Sequence, residues 1–135
     1  MQRVVDIAQA VADELKEQGQ PALFSFTPAI ELKDLKYRIM VIPSDEQIEV
    51  ATRTSNMVTS IVMIGVQRKT SKLDDEVKQL IELVRNIGRK YLRRRICESL
   101  CGKVDNMPLY DAGELTDTGV FTGVVKLNFE GYEVA

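Results

Sequence analysis

Histidine is missing from this chain altogether, cysteine occurs only twice, and the eight glycines are scattered. Without an imidazole there is no histidine-based triad or proton shuttle, and neither cysteine nor any serine sits in a nucleophile elbow. The glycines at 19, 65, 88, 102, 113, 119, 123 and 131 never form the cluster that cradles a phosphate, so no nucleotide site is signalled. Long apolar runs are missing too: a stretch such as 61–66 is far short of the roughly 20 residues of a membrane helix. Asp6 and Gln9 interrupt what would be the apolar centre of a signal peptide, so the chain is expected to remain in the cytoplasm. There is no excess of one charge. The 18 basic and 20 acidic residues are dispersed and leave a net charge of −2, a poor field for holding a polyanion, so nucleic acid is not an expected partner.

What is present is the composition of a globular domain: 135 residues, 44% apolar and 28% charged, enough for one core over 1–135. Residues 2–18 place Val4, Ile7, Ala8, Val11, Ala12 and Leu15 at helical spacing, and Gly19-Gln20-Pro21 ends that helix. A short β-prone stretch at 22–26 is broken by Thr27-Pro28. A strand at 37–42 is apolar on both sides, followed by a turn at Pro43-Ser44-Asp45. Residues 46–53 and 57–67 alternate as a β-hairpin around a Thr54-Ser55-Asn56 tip. The second strand of that hairpin is apolar on both faces, which fits either a central place in a sheet or a face reserved for another subunit. A long helix is expected over 72–95, with Leu80, Ile81, Val84 and Ile87 in the core, Ser71 as N-cap and Asp74, Asp75 and Glu76 at its positive end. Residues 103–118 read as a long polar loop with one strand-like stretch at 107–110, and 120–129 as a closing half-buried strand. The fold class expected is α+β, with two helices on one face of a four- to five-stranded sheet, mainly antiparallel or mixed. The loops 51–59 and 103–118 are expected to be mobile until the protein assembles.

Three features invite a chemical reading. Cys97 and Cys101 are four apart at the expected end of the long helix, half of a metal site; with no histidine and no second pair the usual zinc ligands are incomplete, and two reduced, partly buried thiols are the plainer reading. The acids at 74–76 and Asp45-Glu46 are able to bind Mg²⁺ or trade protons, but they stand where a helix start and a turn favour acids anyway. Arg93-Arg94-Arg95 suits phosphate, a solvated helix end, or a neighbour's carboxylates.

In its order of helix, strands, extended hairpin, long helix and closing strand, the chain resembles the small tail-terminator and head-to-tail completion proteins of tailed bacteriophages and prophages. The resemblance spans about 4–129. It is closest at Leu32-Lys33-Asp34-Leu35 leading to Ile39-Met40-Val41-Ile42-Pro43, at residues 61–69, and at Tyr91-Leu92-Arg93-Arg94-Arg95. It implies a structural protein without catalytic, cofactor or metal residues. Such a protein forms a ring of six copies on the end of a tail tube, ends tube growth and meets the head connector, in the host cytoplasm during assembly and in the virion neck afterwards. The candidate subunit-interface residues are then Ile48, Val50, Val62, Ile64 and Val66 of the hairpin, Arg93, Arg94 and Arg95, and Asp74 and Asp75 as opposite charges. The alternatives from other classes are a small metal-dependent enzyme using carboxylates and a cytoplasmic adaptor that binds a peptide at a sheet edge.

Overall fold

The apolar spacing of the first segment and the alternation of the last both translate directly into structure. In the computed structural model, which describes residues 3–27, 37–70, 74–106 and 108–135, the described residues form an α+β fold of three helices and one six-stranded mixed sheet. Helix α1 (Arg3–Glu17) turns Ile7, Ala8, Val11, Ala12 and Leu15 inward. It stops at Gly19, whose φ of 82° permits the left-handed cap that Gln20 N–H completes by donating to Leu15 O at 3.0 Å. The strands follow as β1 (Ala22–Phe24), β2 (Tyr37–Val50) and β3 (Ser55–Lys69), then helix α2 (Asp74–Tyr91), β4 (Arg95–Ile96), β5 (Ser99–Asp105), helix α3 (Ala112–Thr118) and β6 (Val120–Val134). Their order across the sheet is β1-β2-β3-β6-β5-β4, with β1 parallel to β2 and every other pair antiparallel.

One face of the sheet carries the core. Ile39 and Val41 of β2, Val62, Ile64 and Val66 of β3, and Phe121, Val125, Leu127 and Phe129 of β6 pack there with the inward faces of α1 and α2. Leu80, Val84, Ile87 and Tyr91 are buried as a helical stripe, and Ile81 packs half-buried beside them. Gly123 sets the spacing of α2 over β6: a Cβ there would lie 2.5 Å from Val84 Cγ2 and 2.9 Å from Phe121 Cε1.

Several sequence expectations change. Pro43-Ser44-Asp45 is a bulge inside one long β2 instead of a turn, because the strand continues to pair with β3 on both sides of it. Helix α2 ends at Tyr91, four residues early. Leu92 N–H still donates to Gly88 O, but Arg93 has φ 72° and its N–H turns to Cys101 O at 2.7 Å, so β5 captures the chain. Cys97 and Cys101 are therefore not on one helical face. Cys97 and Glu98, with φ of 50° and 62°, form the two-residue turn between β4 and β5, and Cys101 lies buried in β5. The expected loop at 103–118 contains the end of β5 and the whole of α3, capped by Asp111 Oδ1 accepting from Glu114 N at 2.9 Å. The expected strand over 57–67 begins two residues earlier, at Ser55, so the loop expected to reach 59 does not extend that far. The Leu32-Lys33-Asp34-Leu35 stretch, Pro28, the Ser71 cap and Met107 lie outside the described residues.

Candidate assembly surfaces

Strands β2, β3 and β6 are each 14 or 15 residues long, longer than the core needs. Their far ends, residues 44–50, 55–60 and 130–134, form a three-stranded arm, with Val50 opposite Asn56 and Asn56 opposite Glu133. Seven residues of strand extend about 24 Å. β1 pairs only with 39–41 of β2 and β5 reaches only Glu130 of β6, so among the described residues both outer edges of the arm lack strand partners. The arm exposes Ile48 (55%), Val50 (84%), Tyr132 (65%) and Val134 (88%). Glu46, Ile48 and Val50 share the face that is continuous with the core, together with Glu133 of β6. Arg53 is the only cation within 44–60 and 130–134, against Asp45, Glu46, Glu49, Glu130 and Glu133. At the base of the arm, Arg3 of α1 donates from Nη2 to Tyr132 O at 3.2 Å and from Nη1 to Ser99 Oγ at 3.5 Å.

Cations gather at the opposite edge of the sheet. Arg85 and Arg89 stand on the exposed face of α2, Arg93 and Arg95 past its end, and Lys103 on β5. Between α2 and β5 runs a groove holding about 510 Å³ of open space, lined by Arg85, Gly88, Arg89, Leu92, Val104 and Asn106. Glu82 is the acid beside the arginines, at 3.7 Å from Arg85 and 3.9 Å from Arg89, and both pairs are exposed. Pairs of that kind contribute little. Among the described residues the side-chain oxygen of Asn106 is shielded from water without a hydrogen-bond partner.

The candidate interface residues separate into groups. Ile48 and Val50 are on the surface. Val62, Ile64 and Val66 are not available to a neighbour: each is fully buried under the chain's own helices, because the central strand of the sheet turns this face inward. Arg93 and Arg95 are exposed, but Arg94 is occupied within the chain. Its guanidinium grips the Glu14 carboxylate with two bonds, Nη2 to Oε2 at 2.9 Å and Nη1 to Oε1, and Lys90 Nζ lies 3.5 Å from the same carboxylate. These bonds to Arg94, followed by the nearby positive charges, hold the Glu14 carboxyl below its ordinary value against the opposing effect of its partial burial. Arg94 and Lys90 also sit 5.3 and 5.5 Å from the ring centre of Tyr91, whose buried phenol is pushed well above the usual tyrosine range by desolvation and by Glu14. This cluster joins α1 to α2. Asp74 and Asp75 are exposed at the opposite end of α2 from the arginines, a helix of about 27 Å away. Burial raises the thiols of Cys97 and Cys101, which keeps them protonated and unreactive near neutrality.

Sequence reasoning missed the β6 half of the arm and the groove. The strand alternation does run on past Phe129, with Gly131 and Glu133 on one face and Tyr132 and Val134 on the other, and Arg85 and Arg89 are one helical turn apart, so both signals were in the chain. A second depression, of about 380 Å³, lies on the sheet face away from the core and is lined by Met40, Ile42, Met63, Gly65, Gln67, Thr122 and Val124. Among the described residues no three Cys, Asp or Glu side chains group closely enough to hold a metal ion, and no helix is long and apolar enough to cross a membrane. The chain matches no protein-family model and no curated protein.

Proposed function

We propose that this chain is a structural subunit of a tailed bacteriophage, assembling as a ring of six copies that caps the tail tube and joins it to the head connector. One observation carries the reading. The arm orders three strands in which Val58 and Ser60 are buried, exposes four large apolar side chains, and among the described residues leaves two strand edges open. Ordering strand costs conformational entropy that burial normally offsets, and an open apolar edge invites aggregation, so a neighbour that covers the arm supplies the missing stabilisation. The opposed charge of the acidic arm and the basic α2–β5 surface supports the same reading, since a closed ring needs two different complementary patches on every copy. In this role the chain performs no chemistry.

Deletion of the gene from its phage, followed by electron microscopy, tests the proposal. The expected particles are separate heads and tails of irregular length, restored by the intact gene. Normal infectious particles without the gene would remove the proposal.

A further inference from the structure

Resting on the ring reading, we infer that the arm of one copy docks in the α2–β5 groove of the next, with Ile48 and Val50 on its apolar floor and Glu46 and Glu133 against Arg85 and Arg89. The occupant follows from the side chains. One face of the arm presents two exposed aliphatic residues flanked by carboxylates from β2 and β6. The groove presents the inverse, an apolar floor from Gly88, Leu92 and Val104 beneath a rim carrying two guanidinium groups. Among the described residues those guanidinium groups are held by Glu82 alone, at 3.7 and 3.9 Å, so carboxylates arriving in a partly dehydrated contact gain more than they displace. Among the described residues Asn106 adds a shielded oxygen acceptor without a donor, and the open edge of β2 carries backbone N–H groups without strand partners. Asp74 and Asp75 are the weaker choice for the acidic side, because among the described residues no exposed aliphatic pair accompanies them.

Placement favours a head-to-tail contact. The arm extends past the core at the ends of β2, β3 and β6, whereas the groove lies between α2 and β5, so docking uses one surface from each copy and leaves the other two surfaces open for the next neighbours. That is the heterologous arrangement from which a ring closes. A groove that accepts another class of partner, or arms that pair along their own edges, would not link these two patches by charge.

The experiment is a charge exchange followed by sedimentation velocity across concentrations up to about millimolar. One variant carries Glu46→Lys and Glu133→Lys, the other Arg85→Glu and Arg89→Glu; thermal melting confirms that each remains folded. The unaltered chain is expected to form a closed species, and each variant alone to associate at least about tenfold more weakly. An equimolar mixture is expected to recover the closed species with an even number of copies, because each altered arm then meets an altered groove and each native arm a native one. The neutral variant Glu46→Gln with Glu133→Gln is expected to fall between the extremes. If the unaltered chain forms rings and the mixture fails to recover them, or if either variant closes as well as the unaltered chain, the arm-to-groove contact is wrong and the ring reading survives. If the unaltered chain is monomeric at every concentration, the ring reading itself falls and the contact with it.

Discussion

The same three strands live in two environments. Beneath the helices β3 buries Val62, Ile64 and Val66 completely, while a few residues away the neighbouring strands carry Ile48, Val50, Tyr132 and Val134 into solvent. Both halves have a ladder of backbone pairs, interrupted only at the bulge around Ser44 where they meet, so hydrogen bonding does not distinguish them; apolar burial does. The covered half is stabilised by its own chain. The arm is held by its ladder, by the buried Val58 and by Arg3 at its base, and Ile48, Val50, Tyr132 and Val134 are left for something else to cover.

The largest expected effect is in the covered half. Phe129→Ala removes a fully buried ring from the end of the core nearest the arm and is expected to cost about 3–5 kcal/mol, with Leu80→Ala at about 2–4 kcal/mol, in urea unfolding. A loss under about half a kcal/mol for both, the level of a surface change, would erase the contrast between the halves. Next comes Gly123→Ala. The added methyl meets Val84 and Phe121 at distances real Cβ atoms do not tolerate, so α2 must lift or Phe121 must turn, and an overpacking cost of about 1–3 kcal/mol is expected. An unchanged melting temperature would show that α2 is not seated as closely on β6 as the geometry requires.

Smaller again is the clasp between the helices. Arg94 lowers the Glu14 carboxyl below its ordinary 4.5, so the folded state favours the ionised form, and that stability is complete above the unfolded value and lost as pH falls through the folded one. The carboxyl is partly exposed, which limits the contribution to about 1 kcal/mol or less. Glu14→Gln is therefore expected to destabilise the protein at pH 7 and to narrow its deficit as pH falls below 4.5. A constant difference between the two proteins from pH 7 down to pH 3 would assign the clasp no electrostatic role.

Much of the covered half was legible in the sequence. A helical stripe such as Leu80, Val84 and Ile87 and an alternation such as Phe121 to Phe129 state their periods openly, because one face of each meets the core. The errors gathered where contacts distant in sequence decide. Nothing local ends α2 at Tyr91: arginines favour helix, and it is the bond from Arg93 N–H to Cys101 O that draws the chain into β4. Pro43-Ser44-Asp45 has turn composition, yet pairing with β3 on either side makes it a bulge. Of the candidate interface residues, Ile48, Val50, Arg93 and Arg95 lie on the surface, while Val62, Ile64 and Val66 are buried. An apolar strand reads the same whether its cover is its own helix or another chain, and Arg94 reads as free until α1 folds beside it.

The smallest expected effect on stability is the one that sharpens the contrast most. Ile48→Thr with Val50→Thr keeps β-branched side chains suited to strands and exchanges only exposed apolar groups for hydroxyls. Because both residues face solvent, the dilute subunit is expected to unfold within about 0.5 kcal/mol of the unaltered chain. Amide exchange in residues 55–60, the central strand of the arm, should be unchanged, since their ladder partners on both sides remain. At high concentration the same pair of substitutions is expected to weaken self-association on the order of tenfold, or about 1.4 kcal/mol, because the apolar surface removed is surface that only a neighbour buries. A substitution silent in the subunit and costly in the assembly locates the purpose of the arm outside its own chain. If it is silent in both, the exposed aliphatic residues are merely tolerated; if it unfolds the dilute subunit, the arm belongs to the core after all, and the division between the two halves is wrong.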